Sequence, residues 1–315
     1  MIDRPALSIV IPAFDAADTI ADTLASIHAP LHPGHGPRVE VLVVDDGSRD
    51  KEALDAVLAG FPGVRLLRHE RNVGMSAARN TGSRASTGAV VAILDADDRL
   101  VPDWPERLRE ILAAWPAERG ACFAGCRNHR GEPTVAAPDY TGPMTLADFL
   151  NDRFPGEYFM MFRGDYIRSK GWVDVGTPIS CGTLSFIAFL EDGPIWLAAP
   201  VMRIYWDDRS GAVSHNAMRP EKARHRVLCT QAIIERHGHL YREHARKAWH
   251  GKYLRLAVYR RLAGQPGAWR AFWRGVSIGS LREALGAAIL LGTGPRLREA
   301  IVRIAKRRGL VKRYG

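Results

Sequence analysis

The sequence predicts an α/β fold, a mostly parallel sheet flanked by helices, followed by a basic helical extension. Three observations point there. Short apolar, β-branched runs alternate with helical patterns over the first hundred residues, acidic clusters follow two of those runs, and the charge of the 315-residue chain is split along its length. Residues 1–218 hold 21 basic and 29 acidic side chains, whereas residues 219–315 hold 23 and 5, so the total of +10 describes neither part. The expected division is therefore an α/β domain over residues 1–218 and a basic, mainly helical extension over residues 219–315.

Four runs read as strands: LSIVI at residues 7–11, VEVLVV at 39–44, VRLL at 64–67 and AVVAIL at 89–94. Continuous apolar runs of this length suit strands covered on both faces, as in a parallel sheet. Helical patterns lie between them. Ile20, Leu24 and Ile27 share one face, as do Leu54, Val57 and Leu58, and Ala77, Ala78, Thr81 and Ala85 make a small-residue face for close packing on the sheet. Trp104, Leu108, Ile111, Leu112 and Trp115 mark a further amphipathic helix. Residues 122–148 are rich in Gly, Pro and Thr without a firm period, and read as excursions from the sheet. From residue 219 the pattern is helical and basic, with breaks near GQPG at 264–267 and GTGP at 292–295.

Asp45-Asp46-Gly47-Ser48 follows the second run and Asp95-Ala96-Asp97-Asp98 the fourth. Ligands of open parallel sheets bind at the carboxyl ends of the strands, so both clusters should face one crevice. Paired carboxylates there suit a hard divalent cation that also meets substrate phosphates. A turn with helix-capping acids accounts for either cluster taken alone. The chain lacks G-x-G-x-x-G after the first run, G-x-x-x-x-G-K-[ST], G-x-S-x-G and H-E-x-x-H, which removes the main support for dinucleotide, P-loop, hydrolase and zincin chemistry. Cys122, Cys126, Cys181 and Cys229 are scattered without a second metal-type pair, and the opening MIDRPALSIVIP has no apolar signal core, so a reducing compartment is expected.

The order and spacing of LSIVIPAFDAADTIADTLASI, VEVLVVDDGSRD and RNVGMSAARNTGSRASTGAVVAILDADD over residues 7–98 resemble the successive signatures of the family 2 glycosyltransferases, with a looser likeness to about residue 214. The resemblance implies a Rossmann-like GT-A fold and an inverting transfer of a sugar from a nucleotide diphosphate donor, UDP by default, to an acceptor hydroxyl, with Mg²⁺ or Mn²⁺ as cofactor. It places Pro12, Ala13, Phe14 and Asp15 at the donor-base segment, where the family more often ends in Tyr-Asn. Asp46, with Asp45 and Ser48 beside it, matches the carboxylate that meets the base. Asn72, Gly74, Arg79 and Asn80 match the element lining the nucleotide. Asp95 and Asp97, with Ala96 between them, match the D-x-D motif, Asp95 near ribose and metal water and Asp97 on the metal.

A leaving nucleoside diphosphate gains negative charge, which a carboxylate-held cation stabilises. Alternation along an extended segment would put Asp95 and Asp97 on one side and leave Asp98 for a helix cap or the donor sugar. In FLEDGPIWL, Glu191-Asp192 resembles the family's acidic pair that removes the acceptor proton, with Asp192 favoured; an N-cap before residues 195–197 is the competing assignment. His215, at the end of RSGAVSH, is a candidate ligand to the metal or diphosphate; His28, His32 and His35 read as a solvated loop.

The last hundred residues interleave Arg and Lys with Tyr241, Trp249, Tyr253, Tyr259, Trp269, Phe272 and Trp273. Such a composition suits an anionic membrane surface, and nucleic acid ranks below it. The apolar stretch at residues 284–294 is about half of the roughly 20 residues a span requires. The expected setting is the cytoplasm, peripheral to the inner face of the plasma membrane, with a glycan or lipid-linked acceptor. The competing function is a non-catalytic or nucleotidyl-transferring α/β protein whose tail binds a polyanion.

Overall fold

The computed structural model describes residues 5–31, 37–178, 181–205 and 220–294. The chain divides into two compact units, one of Met1–Leu146 with Gly156–Arg209, the other of Ala147–Pro155 with Ser210–Gly315.

The first unit is built on a nine-stranded mixed sheet. Strands β1 (Leu7–Ala13), β2 (Val39–Asp45), β3 (Val64–Arg68) and β4 (Val90–Ile93) are parallel in the order β3-β2-β1-β4. Their continuous apolar character follows from burial on both faces: Ile9, Val10, Ile11, Leu42, Val43 and Val44 are all inaccessible. Helices α1 (Ile20–His28), α2 (Lys51–Leu58) and α3 (Met75–Ala85) are the crossovers. α1 buries Ile20, Leu24 and Ile27 as its spacing predicts. α3 turns a different face from the predicted one to the interior. Its buried positions are Ser76, Ala78, Arg79, Asn80, Gly82 and Ser83, and a side chain at Gly82 would lie 2.2 Å from Val10 Cγ1, so glycine is what lets the helix lie close on the sheet.

Beyond β4 the sheet departs from the sequence reading. β5 (Arg99–Leu100) is followed by α4 (Trp104–Ala114), then by β6 (Ala121–Asn128), an interior strand where excursions from the sheet were expected. Its ACFAGCRN has little alternation because neighbours cover both faces, and Gly125 marks a break in its register with the last long strand. The short strand β7 (Gly142–Met144) and helix α5 (Leu146–Leu150) precede β8 (Phe159–Arg163), which runs antiparallel between β4 and β6. Helices α6 (Gly164–Lys170) and α7 (Gly182–Glu191) lead into β9 (Ile195–Tyr205), parallel to β6. The carboxyl ends of β1, β2, β4, β6 and β9 therefore share one edge with the start of β8.

The second unit is helical: α8 (Pro220–His244), α9 (Arg246–Leu262), α10 (Ala268–Gly275), a single 3-10 turn (Ile278–Ser280) and α11 (Leu281–Gly292). Its core gathers Ala223, Val227, Leu254, Ala257, Phe272, Ala287 and Leu291. Asn151 Nδ2 donates to the His244 carbonyl over 2.8 Å, tying the 147–155 segment to the end of α8. Among the described residues no single helix is long and apolar enough to cross a membrane.

Candidate active site

The loops after β1 and β2 brace each other. Asp46 N donates to the Ala13 carbonyl over 2.8 Å, and Asp15 N donates to Ser48 Oγ over 2.9 Å. Pro12 and Ala13 end β1 and leave Phe14 45% exposed beyond it, an aromatic surface at the mouth. Asp15 takes a left-handed conformation at φ 50°, tolerable for Asp when its side chain is engaged locally. That side chain accepts from Arg49 N at 2.9 Å and Arg49 Nε at 2.7 Å. Burial would raise the Asp15 pKa, but the hydrogen bonds and charge of Arg49 outweigh it and hold the carboxyl below its usual range. Gly47, at φ +74°, passes so close to Arg71 that a Cβ would lie 2.4 Å from its carbonyl carbon.

Asp46 organises the loop that leads into α3. Its Oδ1 accepts from Val73 N at 3.0 Å and from His69 Nδ1 at 2.8 Å, and its Oδ2 accepts from Gly74 N at 2.8 Å. These amides stand at the start of α3, where a carboxylate complements the helix dipole. Gly74, at φ +110°, lies where a Cβ would be 2.3 Å from the Thr177 carbonyl oxygen. Asp45 is equally committed, to Ser48 N at 2.8 Å and Arg68 Nε at 2.7 Å. Asn80 exchanges two hydrogen bonds with the Trp172 backbone at 2.9 and 2.7 Å, and Arg79 stacks its guanidinium 4.7 Å over the Trp172 ring. Asn72 Oδ1 and Arg79 Nε are buried without a hydrogen-bond partner among the described residues.

Residues 95–98 are not extended. Asp98 N donates to the Asp95 carbonyl over 3.1 Å, closing a turn, while the Ala96 carbonyl accepts from Thr19 Oγ1 at 2.7 Å and Thr23 Oγ1 at 3.0 Å on α1. The strand-alternation argument for Asp95 and Asp97 is thus replaced by a turn that leaves both partly exposed and buries Asp98. Asp98 neither caps a helix nor turns outward to a donor sugar: it faces Arg203 of β9, whose Nη1 is 3.1 Å away. Arg203 is only 2% exposed, and also lies 3.7 Å from Asp95, 3.4 Å from Glu157 and, through Nε, 3.3 Å from Cys126 Sγ. Arg79 Nη2 reaches Asp95 at 3.2 Å. Burial raises the Glu157 pKa and Arg203 offsets part of that rise. Burial also pushes the Cys126 thiol up to about 12, so it is a neutral packing group. Arg203 and Glu157 were missed in the sequence. The signal for Arg203 was a cation inside the apolar run PVMRIY.

The carboxylates that would serve a divalent cation are Asp95 and Asp97, and among the described residues no group of three or more His, Cys, Asp or Glu gathers into a cage. Two carboxylates at a partly open turn fit Mg²⁺ or Mn²⁺, which fill their remaining positions with water and substrate phosphate. Both oxygens of Asp95 face guanidinium groups, Oδ1 that of Arg79 and Oδ2 that of Arg203. His215 lies outside the described residues, as do His32 and His35. His28 ends α1 with its ring 6.1 Å from that of Phe61, and burial lowers its pKa, so it is a packing residue and not part of a solvated loop.

Glu191 and Asp192 stand at the wrong end of the sheet for the role expected of them. Glu191 is the last residue of α7 and Asp192 its C-cap, not an N-cap before residues 195–197, which begin β9. Asp192 Oδ2 accepts from Tyr166 Oη at 2.9 Å and pairs with Lys170 Nζ at 2.7 Å. It lines a cavity of about 350 Å³ with Gly120, Ala121 and Arg163. Arg163 pairs in register with Val90, at the start of β4, whereas the Asp95–Asp98 turn follows that strand's end. The length of β4 thus separates Asp192 from the mouth. Asp192→Asn is expected to keep turnover within about threefold of wild type, the scale of a surface substitution; a hundredfold loss of kcat would restore it as the base.

A mostly parallel sheet gathers acids, guanidiniums and the start of a helix at its carboxyl edge, the architecture of an α/β transferase. The model of the family described as "Glycosyl transferase family 2" matches residues 8–178, more than half of the chain, and the protein belongs to that family. Among curated relatives, the chain is 32% identical over 151 residues to the uncharacterized glycosyltransferase YibD of Escherichia coli, covering 46% of this chain and 42% of that one. It is 41% identical over 114 residues to the succinoglycan biosynthesis protein ExoO of Rhizobium meliloti, covering 35% and 30%. The matches thus span less than half the length of these relatives. Among solved structures, S. aureus TarS 1-349 in complex with UDP-GlcNAc superposes with a TM-score of 0.54 at 16% identity, over 89% of this chain and 79% of that one, a likeness of fold.

Proposed function

We propose that the chain carries out an inverting, divalent-cation-dependent transfer of a sugar from a nucleotide diphosphate sugar to an acceptor hydroxyl, in the assembly of a surface polysaccharide or glycolipid. The observation that carries this is the Asp95–Asp98 turn at the end of β4, flanked by Arg79, Arg203 and Glu157. The names of the relatives support the substrate class: ExoO is a succinoglycan biosynthesis protein, and the TarS structure is a complex with UDP-GlcNAc. A UDP-sugar is therefore the first donor to test.

In this reading Phe14 offers its face to the base and Asn72 and Arg79 meet the nucleotide. Asp97, with Asp95 behind it, would hold Mg²⁺ or Mn²⁺, which when bound supplies Lewis-acid stabilisation of the departing diphosphate. Arg79 adds fixed positive charge on the same side. The acceptor oxygen attacks the anomeric carbon as the bond to the diphosphate oxygen breaks, and a carboxylate takes the acceptor proton. Glu157, just ahead of β8 and on the mouth side of the sheet, takes that role in place of Asp192. Its deprotonated form is the base, and burial places its pKa above the usual carboxylate range, so the rate should climb with pH through that raised value. Glu157→Gln is expected to lower kcat roughly 10²–10³-fold, leave donor binding unchanged and abolish the acidic limb of the pH profile. A limb that persists in the variant would remove Glu157 from the reaction.

Release of UDP, GDP or dTDP from a panel of nucleotide sugars, with Mg²⁺ or Mn²⁺ and with Asp97→Ala as control, tests the whole reading. Turnover of one donor, lost in the control, is the expected result. No turnover of any donor overturns the reading. The second unit, rich in arginine, is assigned to an anionic membrane surface, where a lipid-linked acceptor would be met.

A further inference from the structure

The second unit exposes large apolar side chains where a stable globular unit would hide them. Trp269 and Trp273 on α10 are 51% and 69% exposed, Ile278 in the 3-10 turn is 91% exposed, and Leu281, Leu285 and Ile289 on α11 are 45–66% exposed. Their spacing is regular. Positions 269 and 273 are four apart, as are 281, 285 and 289, so each set follows one helix face. The opposite faces are the packed ones: Ala268, Ala271, Phe272 and Gly275 on α10, and Ala284, Ala287 and Leu291 on α11.

Two further features distinguish this region from a loosely packed core. Buried Phe272 lies between the two tryptophans, 5.5 Å from the Trp269 ring and 5.1 Å from the Trp273 ring, so both indoles are braced from behind. The surrounding charge has one sign. Residues 246–294 contain nine Arg or Lys and a single acid, Glu283, which pairs with Lys247 at 3.6 Å. Arg270, Arg274 and Arg282 are exposed in the same elements as the apolar residues.

We infer that α10, the 3-10 turn and the start of α11 form a wedge that inserts Trp269, Trp273, Ile278, Leu281 and Leu285 into the interface of an anionic bilayer, with Arg270, Arg274 and Arg282 at the lipid phosphates. Tryptophan and basic side chains around exposed aliphatic residues are the composition of an interfacial helix. A second copy of the chain fits less well, because the same three arginines would face one another across the contact. Crossing the bilayer fits less well too: α10 and α11 meet at 112°, and straightening them would pull Phe272, Ala287 and Leu291 out of their core. The wedge specifies the membrane surface assigned to this unit above and is independent of the transfer chemistry.

The test is co-sedimentation of the full chain with vesicles of phosphatidylcholine, alone or with a third phosphatidylglycerol. Wild type should bind the anionic vesicles at least about tenfold more tightly than the neutral ones, and Trp273→Glu/Leu285→Glu should lose that binding about tenfold or more. Nucleotide release from the donor panel in the absence of vesicles should be unchanged in the variant, so a failure of the wedge and a failure of the transferase reading show in different assays. Should the double variant not fold, brominated lipid provides a second measurement. It should quench the tryptophan emission of wild type but not that of Trp269→Phe/Trp273→Phe, which keeps the apolar surface. Equal vesicle binding by wild type and the folded double variant, unquenched wild-type emission, or a wild-type dimer that the variant splits would overturn the inference.

Discussion

Asp97→Asn is expected to reduce turnover of the nucleotide-sugar donor by about three orders of magnitude. The exchange preserves the size and shape of a partly exposed side chain on the Asp95–Asp98 turn while neutralising its carboxylate. A neutral amide is a much weaker ligand for a hard dication than a carboxylate. On the proposed reading its loss would withdraw the Lewis-acid stabilisation that a bound cation supplies to the diphosphate, worth several kcal/mol, and each factor of ten in rate corresponds to about 1.4 kcal/mol. The measurement is kcat against Mn²⁺ and Mg²⁺ concentration for wild type, Asp97→Asn and Asp97→Glu. The amide should require far more metal and never reach the wild-type plateau, whereas Asp97→Glu should recover part of it. Asp95→Asn should behave differently, because Asp95 lies against Arg79 and Arg203 and its loss unbalances those guanidiniums as well. Turnover by Asp97→Asn within tenfold of wild type, at the same metal concentration, would remove the cation from Asp97.

The part of the fold legible in the sequence is the part in which each strand is covered on both faces by its own crossovers. LSIVI, VEVLVV and AVVAIL carry no other reading, and the acids that follow two of them had to lie at the carboxyl edge once the strands were parallel. The second half of the sheet was not legible for a physical reason. β8 enters antiparallel between β4 and β6, so neither chain order nor a simple crossover rule predicts its neighbours. The same reversal explains the misplaced base. A motif shows that Glu191-Asp192 lies between a helix and a strand, but not which end of the sheet that junction occupies. Only the register of Arg163 against Val90 shows that it is the amino-terminal end. The acids at 95–98 were expected on an extended segment and stand on a turn instead, because the Asp98-to-Asp95 turn bond leaves no periodic trace.

Arg203→Ala is expected to cost the protein about 3–5 kcal/mol of stability, the scale for breaking a buried ion pair by removing one partner. The guanidinium is 2% exposed, and Asp98, which it meets at 3.1 Å, is 1% exposed, so its removal takes a positive charge away from an enclosed carboxylate. The attraction lost is only part of that cost: a charge that water cannot reach is more expensive than a missing hydrogen bond. Three variants separate the contributions. Arg203→Lys keeps the charge but not the planar fork that reaches Asp98, Asp95 and Glu157 together, so an intermediate loss is expected. Arg203→Met/Asp98→Asn removes the enclosed charge with its partner and should recover much of the stability lost in Arg203→Ala. The double variant should nevertheless transfer sugar poorly, because Asp95 and Glu157 lose the cation between them even when Asp98 no longer needs one. Denaturant midpoints report the first effect and kcat the second. If stability and turnover recover together in the double variant, Arg203 serves only to neutralise Asp98. If stability recovers alone, the same guanidinium that closes the core also sets the charge of the mouth.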